Sequence, residues 1–404
     1  MTSRWILLTA LLLACAGGDA ERPVLRVGTS GDYAPFSQRD AAGGRAGFDV
    51  ALARAYAHER GLAIRWVPVR WPSLDADFAA GRFDVVMSGV TVRSERSLAG
   101  RFSVPVTTSG VMLLSRADGA LRLDRRLRIA VNAGGHLERA ARRLFPGASL
   151  RPLSPNAAVR EALLAGAVDA AVTDTLEAPG WLAGTSGLHA LGPYTRDWKA
   201  YWLPASAGER ARDLDAWLLA READGSLGAL RARHLPETAR SATATPLAAL
   251  GAAIEERLAL MPLVAEAKRA SGAPVAAPEQ ERVVLDAASA AVRAAAERER
   301  RVTPPDDAAV RELFAALIEA AREIQEQTLA GPPAGDAQPH LDGALRPALA
   351  RISERIAWLV VRLPEPLDLA AVRETLAPIE LPGLSPAARE RIARALLRLA
   401  PARE

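Results

Sequence analysis

The sequence predicts two unlike folds in one chain: an α/β two-lobed clamp, then an all-α helical bundle. Three observations predict it. From Val24 to about His234, short apolar runs alternate with helix-period segments, the pattern of parallel sheets whose faces are covered by helices. At 236–246, Thr, Ser, Ala and Pro crowd together without periodicity, which reads as a linker. Over 247–404, long segments carry apolar residues at i, i+3, i+4 and i+7, with no strand pattern.

The elements follow in order. Val24–Gly28 is a strand running into Thr29-Ser30-Gly31-Asp32-Tyr33, a Gly-rich turn that presents an aromatic. Phe48–Gly61 is a helix closed by its terminal glycine. Ala63–Val69 alternates as a strand, Leu74–Ala80 is a helix, and Phe83–Met87 is a buried strand. Leu127–Val131 opens a second lobe, placed at about 116–192, with a helix at Pro155–Ala165 and a strand at Ala170–Thr173. The clamp over 24–235 requires the chain to cross near Ser115 and return near Pro193. Four long helices are expected afterwards: Leu247–Ser271, Glu279–Arg301, Asp306–Ala330 and Leu341–Leu363. Pro304 and Pro305 ahead of Asp306-Asp307 start the third, with acid at its positive end. Pro364, Pro366, Pro378 and Pro382 break up the tail before a last helix from about Pro386 to Leu399.

Composition narrows the function. A chain of 404 residues exceeds one ordinary core, so two or three domains are expected. Hydrophobic content of 50% with 24% charged residues describes a globular protein. The net charge of +4 is too small to imply a nucleic-acid partner. The basic excess falls in residues 1–235, which suits an anionic small ligand; scattered surface arginine is the alternative. The five histidines, at 58, 136, 189, 234 and 340, have no metal-ligand spacing, so no metal is expected. Cys15 is the sole cysteine, which excludes an intramolecular disulfide. Arg4, the apolar run Trp5–Ala14 and Cys15-Ala16-Gly17-Gly18 read as an export signal within residues 1–20, too short to span a bilayer. Leu12-Leu13-Ala14-Cys15 resembles a bacterial lipobox, which implies lipidation of Cys15 and a membrane anchor. Cleavage at an Ala-x-Ala site, Ala14–Ala16, is the alternative; either sends the mature chain to the periplasm.

Residues that carry chemistry gather at the strand exits. Met87-Ser88-Gly89-Val90-Thr91 through Arg96 offers the hydroxyls of Ser88 and Thr91 and a guanidinium, a set that suits a carboxylate. Tyr33 and Trp71 would wall the pocket. In Asn132-Ala133-Gly134-Gly135-His136-Leu137-Glu138, a glycine pair opens a helix whose N–H groups suit an anion. Thr173-Asp174-Thr175-Leu176-Glu177 places two carboxylates after a strand, and Lys199 lies in Trp198-Lys199-Ala200-Tyr201-Trp202-Leu203-Pro204. Only two lysines, Lys199 and Lys268, occur among 51 Lys+Arg, which marks both as positions wanting a compact charge.

These motifs resemble extracytoplasmic amino-acid-binding proteins. They resemble still more the cyclohexadienyl dehydratases, which carry enzyme chemistry on the same periplasmic-binding-protein-like clamp. The resemblance implies that Arg96 grips a ligand carboxylate, with Tyr33, Trp71, Ser88, Thr91, Asn132, Gly135, His136 and Lys199 around it. It implies that Asp174 takes an ammonium and that Glu177, three residues on, protonates the departing hydroxyl. Prephenate or arogenate loses water and carbon dioxide as its ring aromatises. A carboxyl that serves as the acid needs its pKa raised above about 4.3 by desolvation. His136 and Leu137 depart from the family's threonine and asparagine.

In the helical half, Glu256-Arg257-Leu258, then Lys268 and Pro274, resemble the first helix of the exported, gamma-type chorismate mutases. A spacing of eleven residues is about three turns, so Arg257 and Lys268 share a face. Chorismate rearranges without proton transfer; it needs clamped carboxylates and donors at its ether oxygen. The resemblance implies Arg257 and Arg355 as clamps, with Lys268 and Gln325 at the ether oxygen. Gln280 stands where the family has arginine, and Ala321 replaces a polar residue. Family members are often homodimers. The expectation is an exported bifunctional enzyme that takes chorismate through prephenate to phenylpyruvate, with no cofactor. The alternative is a transporter's amino-acid-binding protein fused to an active or vestigial mutase.

Overall fold

The computed structural model describes residues 22–116, 126–301, 303–335 and 339–399. The expected export signal and Cys15 lie outside the described residues. Two five-stranded sheets of matching design make the clamp. In the first, Val24–Thr29 lies between Ala63–Pro68 and Val85–Val86, all parallel. Trp202–Pro204 and then Gly100–Phe102 extend the sheet antiparallel. In the second, Arg128–Asn132 lies between Ser149–Leu153 and Ala170–Asp174, again parallel. Val111–Ser115 and His189–Leu191 extend it antiparallel. The short apolar run Ala170–Asp174 is buried along its whole length, as a strand covered on both faces must be.

The lobes are joined by a two-stranded ladder, Thr107–Ser109 paired with Asp197–Lys199. The crossing therefore precedes Ser115, and Val111–Ser115 already belongs to the second sheet. The lobes meet closely. Gly134 has φ +73, and a Cβ there would stand 2.4 Å from Pro72 Cα of the other lobe, so no side chain fits. Arg139 and Glu95 form an ion pair across the same boundary.

The helical half departs from the expected four long helices in two places. Leu247–Ser271 is split into Pro246–Ala259 and Met261–Ser271, because Pro262 lacks an N–H and sits in a first turn. Leu369–Leu376 is an additional helix between prolines, started by the Asp368 carboxylate accepting from Ala371 N–H. Too short to show a periodicity, it gave no sequence signal. Pro278–Arg298, Asp307–Ala330, Arg346–Val361 and Pro386–Arg398 complete the bundle.

The expected linker is not a free tether. Ala239, Thr243 and Ala244 are buried. Thr107 Oγ1 donates to the Ala239 carbonyl at 2.8 Å, and Thr243 Oγ1 donates to the Pro105 carbonyl at 3.1 Å. The helical half is fastened to the first lobe beside it. Ser97 Oγ donates to Glu256 Oε1 at 2.8 Å, and Arg351 donates to the carbonyls of Ser97 and Leu98, each at 3.0 Å. Among the described residues, no helix is long and apolar enough to cross a membrane.

Candidate active sites

Between the lobes lies a cavity of about 30 Å³. Tyr33, Trp71, Thr91 and Arg96 reach it from the first lobe, Asn132, Gly135 and His136 from the second, and Lys199 from the connecting ladder. Each stands at a strand exit or a helix start because parallel strands end together at one edge of each sheet. Gly89 has φ +63, and a Cβ there would collide with Tyr33 and Phe36, so it must be glycine for the aromatic wall to close. Tyr33 meets Trp71 edge to face with centroids 5.8 Å apart.

Arg96 is buried, and its Nη2 has no partner. Burial, then neighbouring Arg93, pulls its pKa down to about 9. His136 Nε2 lies 3.0 Å from Asp197 Oδ2. Ser88 does not reach the cavity: its hydroxyl accepts from Ser30 N–H and holds the turn after the first strand. Backbone alternation sends Ser88 behind the wall and leaves Gly89 lining it. The Gly134 N–H, expected to face an anion, is taken by Glu138 at 2.7 Å.

Two carboxyls stand behind this wall. Asp174 Oδ1 accepts from the N–H groups of Leu176 and Glu177, each at 3.0 Å. Its Oδ2 accepts from Tyr33 O–H and lies 3.4 Å from Lys199 Nζ. Asp174, expected to receive a ligand ammonium, does not line the cavity, and the cation beside it is the protein's own Lys199. Glu177 is buried, accepting from Asn156 Nδ2 and from Thr173 Oγ1 at 2.7 Å. Burial, with the Asp174 carboxylate second, pushes Glu177 up to about 8. Asn156, which the sequence reading missed, lines the cavity and links it to Glu177. No sequence signal set it apart from a helix start.

The helical half holds a larger cavity of about 500 Å³, lined mostly by apolar side chains. Arg257, Lys268 and Gln325 line it together. Arg257 is buried with Nε and Nη1 unpartnered, and burial pulls it down to about 10. Lys268 Nζ donates to the Val275 carbonyl at 2.9 Å, and burial lowers its pKa. Gln325 Nε2 donates to the Ala321 carbonyl at 3.0 Å, while Oε1 is buried without a partner.

Arg355 is absent from this lining, contrary to expectation. Arg346, Leu349, Ala350 and Ser353 form the stripe that faces the cavity. Arg355 is two residues past Ser353, about 200° around the helix, and shares the opposite face with Arg351. It donates to the Phe102 carbonyl and pairs with buried Glu256 at the junction of the two halves. The further cations at the cavity are instead Arg322, paired with Glu281, and Arg346. Arg322 was legible as the residue one turn before Gln325 on the same face.

A family model for bacterial extracellular solute-binding proteins, family 3, matches residues 25–237, more than half of the chain. The chain belongs to that family. A model for chorismate mutase type II matches residues 248–326, so the family's clamp is fused here to a mutase-type helical domain. Over 221 residues the family 3 region is 34% identical to cyclohexadienyl dehydratase of Pseudomonas aeruginosa, covering 51% of this chain and 81% of that protein. It is 31% identical to the L-cystine-binding protein TcyJ of Escherichia coli, over 39% of this chain and 61% of that one. Among solved structures, a binding component of an ABC transporter from Wolinella succinogenes, complexed with lysine, superposes with a TM-score of 0.51. It has 29% identity and covers 54% of this chain and 97% of that one.

Proposed function

We propose that this chain is an exported bifunctional enzyme. Its helical domain rearranges chorismate to prephenate, and its clamp converts prephenate or arogenate to phenylpyruvate or phenylalanine. The observation that carries the second activity is a buried carboxyl, Glu177, pushed up to about 8 beside the closed cleft. Plain ligand capture needs no such acid. At neutral pH Glu177 holds a proton, and the departing hydroxyl needs one. Arg96, with a free Nη2, is the group to hold a carboxylate while the closed lobes exclude water from the ring carboxylate that leaves as carbon dioxide. Glu177 stands one side chain behind the wall, so Asn156 must yield when substrate binds.

The mutase proposal rests on the polar groups gathered at its cavity. Arg257 presents two unpartnered nitrogens for a carboxylate. Lys268, which keeps hydrogens beyond the one given to Val275, supplies a donor for an ether oxygen on which charge develops, and Gln325 joins it once its amide turns from the Ala321 carbonyl. The likeness to cyclohexadienyl dehydratase and the mutase model support consecutive steps. The test gives purified protein chorismate alone and follows the ultraviolet absorbance of phenylpyruvate. Phenylpyruvate that appears with wild type and not with Glu177→Gln supports both activities. Tight amino-acid binding without turnover of prephenate overturns the dehydratase.

A further inference from the structure

The cleft offers cationic donors and no carboxylate to a ligand, and that balance determines which ligands it holds. For its substrates, the inference rests on the dehydratase reading above. No Asp or Glu lines the cavity among the described residues. Asp174 has both oxygens committed, one to two backbone N–H groups and the other to Tyr33 and Lys199. Glu177 accepts from Asn156 and Thr173 and keeps its proton to about pH 8. Lys199 Nζ stands 3.0 Å from Tyr33 Oη, 3.0 Å from Thr91 Oγ1 and 3.4 Å from Asp174 Oδ2. Tyr33 and Thr91 accept two of its hydrogens and Asp174 pairs with its charge, and these are the partners an ammonium group of a ligand would need. A second ammonium entering the cavity would meet Lys199 and Arg96 with no free anion to neutralise it. A 2-oxo acid brings the same carboxylate and a neutral carbonyl that only accepts, so it meets donors alone.

We propose that Lys199 is the specificity residue of the cleft. By neutralising Asp174 from inside the protein, it makes the site select 2-oxo acids over the matching 2-amino acids: prephenate over arogenate, and phenylpyruvate over phenylalanine.

The test uses the full-length protein. It compares kcat/KM for prephenate and arogenate, and calorimetric Kd for phenylpyruvate and L-phenylalanine, in wild type and Lys199→Met. Wild type is expected to favour the 2-oxo member of each pair by about tenfold or more, a difference of about 1.4 kcal/mol. Lys199→Met is expected to shift both ratios toward the amino member by a similar factor. Equal or reversed preference in wild type overturns the proposal, as does an unchanged ratio in a folded Lys199→Met. Should that variant fail to fold, Lys199→Gln and the wild-type ratios decide. Binding that prefers phenylpyruvate with neither substrate turned over leaves Lys199 as selector and removes the dehydratase. Equal turnover of both substrates does the reverse, and binding of neither ligand removes the selector.

Discussion

The inter-lobe cleft and the helical cavity differ most in what their polar groups are bonded to. The cleft measures about 30 Å³, and its carboxyls are saturated by Tyr33, Lys199, Asn156, Thr173 and backbone N–H groups. The helical cavity measures about 500 Å³ and leaves two nitrogens of Arg257 and an oxygen of Gln325 without partners. The proposed chemistries account for the difference. A proton donor works only if its neighbours hold its pKa near the working pH, so its surroundings must be dry and crowded. A rearrangement that moves no proton needs shape and fixed donors, so its cations must be held in place with hydrogens left over for the substrate.

Four measurements would break or sharpen this contrast. The largest effect is expected from Glu177→Gln. Removing the acid should cost prephenate turnover about a thousandfold in kcat and leave chorismate consumption unchanged, read in separate assays with each substrate. A dehydratase rate within a few-fold of wild type would end the proton-donor assignment. Next, Lys268→Ala should slow chorismate consumption about a hundredfold, while prephenate dehydration holds. Equal mutase rates would remove Lys268 from the site.

Arg355→Ala separates the sequence expectation from the structure. If Arg355 fastens the two halves, its loss leaves Glu256 buried without its cation and lowers unfolding free energy by about 3 kcal/mol, read by denaturant titration. Chorismate KM should stay unchanged; a raised KM with unchanged stability would return Arg355 to the mutase site.

The smallest effect is in pH. Burial pushes Asp49 and Asp215 up to about 7, and Glu177 up to about 8. Each keeps its proton in the folded chain where the unfolded carboxyl has lost it. Their contribution to stability is therefore full below about pH 4 and lost as pH rises through about 7 to 8. Tm by calorimetry should fall between about pH 5.5 and about pH 8.5, and dehydration should lose its rate above about pH 8 while the mutase does not. A flat Tm would mean that these carboxyls ionise inside the fold.

Periodicity and local motifs determined a good deal by themselves. Strand–helix alternation gave the clamp, long amphipathic runs gave the bundle, and the strand-exit residues Tyr33, Trp71, Thr91, Arg96, Asn132, Gly135, His136 and Lys199 do meet at one cavity. Such features are local: side-chain period and turn chemistry act over a few residues, so the sequence carries them directly. Only the tertiary structure decided which partner each charge finds. Asp174 looks free to take a ligand until Lys199 arrives from a strand 25 positions later. Arg355 looks like a mutase clamp until its helix face turns to the first lobe. Asn156 looks like a helix start until it bonds Glu177 across the second lobe. Whether a buried charge is satisfied depends on distances between segments remote in the chain, and no local pattern records those distances.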